Sequence, residues 1–115
     1  MLTPIEIMDG LIKKNHELDA KTKEYADLIE ECAECERVYH IALAKKALAM
    51  KADGESVTFI SSYVKGDKTI ADLRFDYHVA EAKTKACLQA IKDIRVMIDS
   101  YRSLLAWEKA ARTEI

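Results

Sequence analysis

The sequence predicts an all-α protein that folds as a long antiparallel helical hairpin. Its 115 residues include only 3 glycines and 1 proline, whereas folds that are rich in turns need many more of both. Hydrophobic residues make up 50% and charged residues 33% of the chain, a balance typical of amphipathic helices and not of disordered chains. A regular apolar repeat in the second half is the third indication. The length predicts one domain over residues 1–115.

The first helix is predicted to span about residues 4–52. Thr3-Pro4-Ile5-Glu6 has the pattern of a capping box, with proline at the first helical position. Gly10 interrupts the helix once, and Asp53-Gly54 ends it. Apolar residues recur at steps of mostly three and four, which defines one helical face. They are Ile5, Met8, Leu11, Ile12, Leu18, Tyr25, Leu28, Ile29, Cys32, Cys35, Tyr39, Ala42 and Leu43.

A short helix is predicted over about residues 57–65. Ser56 can cap its start, and Gly66 can end it. Its apolar face contains Val57, Ile60 and Val64. The same stretch is rich in β-branched and aromatic residues, so a strand is the alternative, although a lone strand would have no partner.

The last helix is predicted over about residues 69–112, starting at the capping sequence Thr69-Ile70-Ala71-Asp72. Its apolar positions step strictly by three and four, which is the coiled-coil signal. Thr84, the most polar member, can return its hydroxyl to the carbonyl four residues earlier. Leu88, Met97, Leu104 and Trp107 widen the stripe. The seam consists of Ile70, Leu73, Tyr77, Ala80, Thr84, Cys87, Ile91, Ile94, Ile98, Tyr101 and Leu105.

The charges suggest how the two long helices pair. Residues 24–36 contain acids but no lysine or arginine, and all but one of the charged residues in 83–95 are basic. An antiparallel register with Met50 opposite Thr69 brings these two blocks together. Paired residues then have numbers that sum to about 119.

Both apolar stripes are wider than one two-helix seam can cover. Self-association into a multi-helix bundle would bury them, so we expect a homo-oligomer. The predicted function is a non-enzymatic protein-interaction and oligomerisation module, with an unidentified protein as a further partner. The candidate interaction residues are Ile91, Ile94, Ile98, Tyr101, Leu105 and Trp107.

Cys32-Ala33-Glu34-Cys35 is a C-x-x-C motif, a spacing that can bind zinc or exchange disulfides. A structural zinc needs four ligands, and Cys87, which the register places near Cys32, would supply only a third. The neighbouring glutamates oppose thiolate formation, which disfavours redox exchange. The sequence therefore favours reduced thiols in helix packing, and it predicts no metal, cofactor or catalytic residue.

A net charge of -2 gives the chain no overall basic field for nucleic acid. The turn end is a local exception, because basic residues gather there as a possible docking patch. The alternative function is therefore an accessory role in nucleic-acid replication or recombination, which is possible but not favoured. The patch contains Lys45, Lys46, Lys51, Lys65, Lys68 and Arg74.

Residues 55–74 resemble parts of a known group of proteins. Glu55-Ser56-Val57-Thr58-Phe59-Ile60, Lys65-Gly66-Asp67 and Ile70-Ala71-Asp72-Leu73-Arg74 look like stretches of small, uncharacterised helical proteins from bacteriophage and prophage early regions. The resemblance covers the second half of the chain and includes no active-site motif. It implies a phage accessory protein that acts through contacts with host or phage machinery.

The sequence also indicates a cytoplasmic protein, in the host cytoplasm if a phage encodes it. No run approaches ~18 apolar residues, so we expect no membrane partner. Acids and lysines interrupt the first turns of the chain, which is unlike a signal peptide.

Overall fold

The computed structural model describes residues 2–113 and consists of three α-helices in that range. They are α1 (Pro4–Ala52), α2 (Val57–Gly66) and α3 (Lys68–Thr113). No β-strand occurs between residues 2 and 113. The predicted all-α hairpin with a short helix at its turn is confirmed, and the helix replaces the strand alternative for residues 57–65.

Side-chain caps fix where the helices begin. The Thr3 hydroxyl accepts a hydrogen bond from the Glu6 amide at 3.2 Å, and the Ser56 hydroxyl accepts one from the Phe59 amide at 3.2 Å. At α3 the cap is Asp67, whose carboxylate accepts from the Ile70 amide at 3.1 Å. The helix therefore starts slightly before the predicted Thr69 cap, because the aspartate offers a charged acceptor to its first free amides.

Gly54 ends α1 in a Schellman motif. The Glu55 amide donates to the Met50 carbonyl, and the Gly54 amide donates to the Lys51 carbonyl, both at 3.1 Å. Gly54 has φ +85°, a left-handed conformation that costs other residues about 1–2 kcal/mol. This glycine is what lets the chain leave α1 and enter the short connection to α2.

The chain forms two compact units. The terminal unit joins α1 as far as Ala26 to α3 from Ala86 onward, and the turn unit comprises Asp27–Lys85. In both units α1 and α3 are antiparallel, as contacts between early α1 and late α3 residues show. The prediction of a single domain stays a prediction.

The terminal unit is held by a buried seam between α1 and α3. Ile7 on α1 and Cys87, Ile91, Ile94 and Ile98 on α3 are all buried, and all five belong to this unit. Tyr101 lies across Gly10 so closely that a Cβ there would sit 2.7 Å from the tyrosine ring. Gly10, which looks like a helix-weakening residue in the sequence, thus makes room for an aromatic side chain.

Replacing Gly10 with alanine should destabilise the protein, although alanine is the better helix former. Overpacking against Tyr101 costs about 1–3 kcal/mol, and helix propensity returns about 1 kcal/mol. Urea unfolding followed by circular dichroism should show a lower midpoint. Gly66→Ala is the control, because a Cβ there meets nothing within 4 Å. In a Tyr101→Ala background Gly10→Ala should become stabilising, and stabilisation in both backgrounds would contradict the contact.

The turn unit has its own small core. Met50 from α1 packs against Ile60 and Val64 from α2, with Leu43 and Ala47 at the edge of the cluster. This cluster attaches the short helix to the hairpin.

Thr84 marks the seam of the turn unit. Its hydroxyl lies 2.9 Å from the Ala80 carbonyl, as predicted, and 3.3 Å from the Leu28 carbonyl of α1. These contacts satisfy the hydroxyl of Thr84, the most polar residue of the α3 seam. The contact with Leu28 also shows which part of α1 lies opposite.

The predicted register between the long helices is wrong by about two helical turns. Thr84 lies against Leu28, seven residues before the predicted partner Cys35. Cys87 lies against Lys21, with its thiol 3.6 Å from the lysine carbonyl, so it does not pair with Cys32. Paired numbers therefore sum to about 112 and not 119.

The charges mislead because they pair within helices and not between them. Nine of the ten pairs between a Lys or Arg and a carboxylate in residues 2–113 join residues three or four apart, and one, Lys46–Asp67, joins distant parts of the chain. Exposed pairs are worth only about 0–1 kcal/mol. Seam packing, as at Gly10 and Tyr101, outweighs that contribution and sets the register.

Candidate interaction surface

The predicted interaction residues fall into two groups. Ile91, Ile94 and Ile98 are buried beneath α1 of the same chain, so they form the internal seam of the hairpin. Tyr101 and Leu105 are half-buried. Trp107, the sole tryptophan, is 81% exposed. A partner that meets the folded chain can therefore contact Trp107 and its neighbours but not the three isoleucines.

A charge-free face lies on α3 beside this seam, and we call it the α3 outer face. At 100° per residue its members cover about 140° of the helix circumference over four turns. All of them are exposed, and four are large apolar residues. The charged residues of the same segment lie on other sides of the helix. The face consists of Val96, Met97, Ser100, Ser103, Leu104, Trp107, Ala110 and Ala111.

Two grooves flank Trp107. The first is lined by Leu2, which precedes α1, by Ile7 of α1, and by Leu104, Trp107, Glu108 and Ala111 of α3. The second is lined by Ser100, Ser103, Leu104 and Trp107. The Ser100 hydroxyl donates to the Val96 carbonyl of its own helix at 3.0 Å. Because that donor is satisfied locally, Ser100 presents a small and weakly polar surface next to the tryptophan.

A second apolar stripe is exposed on α1. The sequence places Ile5, Met8 and Ile12 in the seam, but all three are exposed, with Ile5 at 82%. Leu11 and Leu18 of the predicted stripe are half-buried as expected. The buried side of these turns also includes Ile7 and the half-buried Lys14 and Lys21, whose long aliphatic stems can cover apolar surface while the charge stays in water. A stripe chosen by hydrophobicity alone misses such lysines.

The folded chain exposes more large apolar side chains than it buries. Sixteen large hydrophobic residues are exposed in residues 2–113, ten hydrophobic residues are buried, and no large side chain is fully enclosed. Where such side chains lie next to one another, they mark sites of protein association. The α3 outer face is the part of it that carries no charge.

Three of the six basic side chains of the turn end make contacts within the chain. Lys46 lies 3.9 Å from the Asp67 carboxylate and 5.4 Å from the centre of the Tyr63 ring. Lys68 pairs with Asp72 at 3.4 Å. Arg74 donates to the Lys65 carbonyl at 3.1 Å. Over residues 45–74, six basic residues stand against four acids, which leaves a formal charge of only +2.

All three cysteines are free, with Cys87 buried and both Cys32 and Cys35 half-buried. Burial raises the pKa of the Cys35 thiol, and the nearby Glu31 carboxylate raises the same pKa further. A raised pKa keeps the thiol protonated and less nucleophilic at neutral pH. In residues 2–113 no three His, Cys, Asp or Glu side chains come together as a metal-binding group.

In native buffer a thiol reagent should label Cys87 far more slowly than in denaturant, because its thiol is buried in the seam. Cys35 should react more slowly than a free cysteine at neutral pH, and its rate should rise with pH because its pKa is raised. Timed labelling and mass spectrometry give the rate at each site. Rapid native labelling of Cys87 would mean that the seam is open.

Two of the three histidines, His40 and His78, join an aromatic cluster. His40 and His78 both lie near Tyr77, with ring centroids 6.5 Å and 5.4 Å away, and Tyr39 stacks on Tyr77 at 6.2 Å. The cluster helps to join α1 to α3 within the turn unit.

Between residues 2 and 113 no helix combines the length and the apolar character needed to cross a bilayer. Comparisons of the chain with protein-family models, with curated proteins and with solved structures find no match.

Proposed function

We propose that this protein is a non-enzymatic helical interaction module that associates with copies of itself and with another protein. The observation that carries the proposal is the charge-free α3 outer face with the exposed Trp107 at its centre. Exposure of that apolar face to water is unfavourable in an isolated hairpin, and a helical partner that covers the face would remove this unfavourable free energy.

The cysteines, which are the residues most suited to catalysis by their chemistry, give this proposal indirect support. The cysteines are buried or half-buried. The pKa of the Cys35 thiol is raised, which makes this thiol less reactive at neutral pH. The resemblance of residues 55–74 to phage proteins suggests a setting among phage or host machinery in the cytoplasm. That setting rests on the resemblance alone.

Sedimentation equilibrium tests the proposal directly. At roughly tens of micromolar protein we expect a mass that exceeds the 13.0 kDa of one chain and that rises with concentration. A well-folded species of 13.0 kDa at every concentration would overturn the self-association part of the proposal.

Nucleic-acid binding through the turn end is the weaker alternative, because Lys46 and Lys68 pair with neighbouring acids and the net charge of residues 45–74 is only +2. We expect no retardation of single- or double-stranded DNA in a gel at physiological salt. Binding through a few phosphate contacts would weaken steeply with salt. A salt-sensitive shift that disappears in Lys45→Glu and Lys51→Glu variants would favour the alternative.

A further inference from the structure

We infer that a second copy of this chain docks on the α3 outer face with its own α3 antiparallel, about a two-fold axis near Ser103 and Leu104. This inference rests on the proposed function, because it specifies the surface and geometry of self-association. All of the residues concerned belong to the terminal unit.

The outer face is complementary to itself in size. When it pairs antiparallel with a second copy so that residue numbers sum to about 207, Trp107, Val96 and Met97 each meet a small residue. Trp107 faces Ser100, while Leu104 meets Leu104 of the second copy at the two-fold axis, and Ser103 meets Ser103. Met97 and Val96 face the alanines at 110 and 111. The groove beside Ser100 and Ser103 thus lies where the tryptophan of the second copy would enter, as in an isologous interface.

The charges are compatible with an antiparallel pair, and packing opposes a parallel one. The face itself carries no charge, so it offers nothing to a charged partner and does not repel itself. On its edges, Asp99 would lie beside Ala106 of the second copy, and Glu108 beside its Tyr101. A parallel pair would place Trp107 against Trp107 at the centre of the face, which costs packing.

The size of the face sets the strength of the contact. Residues 96–111 extend for about 24 Å along the helix. Such a patch is small against the roughly 800 Å² per partner of a standard interface. We therefore expect a reversible dimer with a dissociation constant on the order of micromolar.

Ser103→Glu tests the face, because it places a charge at the centre of the interface on a residue that is exposed in the single chain. Ala82→Glu, at an exposed position of the same helix outside the face, is the matched control. Sedimentation equilibrium should show association of the wild type and of Ala82→Glu, and at least tenfold weaker association of Ser103→Glu. The emission of Trp107 should shift to the blue with concentration in the first two proteins only.

Cysteine crosslinking tests the geometry. In a chain with Cys32→Ser, Cys35→Ser and Cys87→Ala, oxidation of Ser103→Cys should give a disulfide-linked dimer. Ser100→Cys should not, because its two copies would be offset by about 10 Å along the axis. Equal crosslinking of both variants would indicate a parallel pair and overturn the inference.

The possible failures are distinct. Association of Ser103→Glu with wild-type strength would overturn the docking face but leave self-association standing. A wild-type protein that stays monomeric at all concentrations would overturn both.

Discussion

Ile94→Asp should abolish the folded hairpin. Ile94 is 5% exposed in the seam between α1 and α3, so an aspartate there must either be buried unpaired or force the helices apart. The first course costs several kcal/mol, on the order of 3–5. A small domain has only about 5–15 kcal/mol of stability in total. Loss of helical circular dichroism, or a urea midpoint near zero denaturant, is the expected result.

Ala82→Asp serves as its control, because the residue is exposed on the same helix. It introduces the same side chain at an exposed site, and its loss of helix propensity should lower stability by less than about 1 kcal/mol. Similar unfolding of both variants would show that charge alone, and not its burial, destabilises α3. A cooperative and stable Ile94→Asp protein would mean that the isoleucines do not form the seam.

The seam of α3 could be predicted from its sequence residue by residue. Each predicted position from Ile70 to Leu105 is buried or half-buried, because the strict alternation of three and four leaves one apolar face available. In the first turns of α1, by contrast, the predicted apolar positions are only partly those that are buried. Ile5, Met8 and Ile12 looked like seam residues but are exposed, and the buried side includes Ile7 with the stems of Lys14 and Lys21.

The register needed information that a single helix does not carry. It depends on which side chains interlock, and that is visible only when both helices are in place. Gly10 is an example, because the absence of its side chain leaves space for the Tyr101 ring of the other helix. Charge blocks could not substitute for packing, since Lys and Glu residues three or four apart satisfy one another within their own helix.

The candidate surface was predictable in part. Trp107 belongs to the predicted set and is exposed, whereas the three isoleucines of that set are internal. Distinguishing them needs the direction in which the α3 seam faces α1. Once that direction is known, the adjacent charge-free arc over residues 96–111 follows from helical geometry. The small residues on that arc carry little hydrophobic signal, so a search for apolar residues passes over them.

The second large effect is expected at α2. Ile60→Ala should release this helix from the hairpin and lower the stability of the turn unit by about 2–4 kcal/mol. A helix of 10 residues is too short to persist in water without tertiary contacts. Ile60, which is 8% exposed, and Val64 supply those contacts against Met50. Limited trypsin digestion should then cleave after Lys65 much faster than in the wild type.

Val57→Ala provides the matched comparison, because it also removes methyl groups from a β-branched residue of α2. Val57 is 75% exposed, so its truncation leaves no cavity and should change stability by less than about 0.5 kcal/mol. The two variants share a helix and the same final residue, and they differ in whether the lost methyl groups touched α1. Equal cleavage after Lys65 in both would mean that α2 is held by its Ser56 cap and the Gly54 turn and not by burial of Ile60.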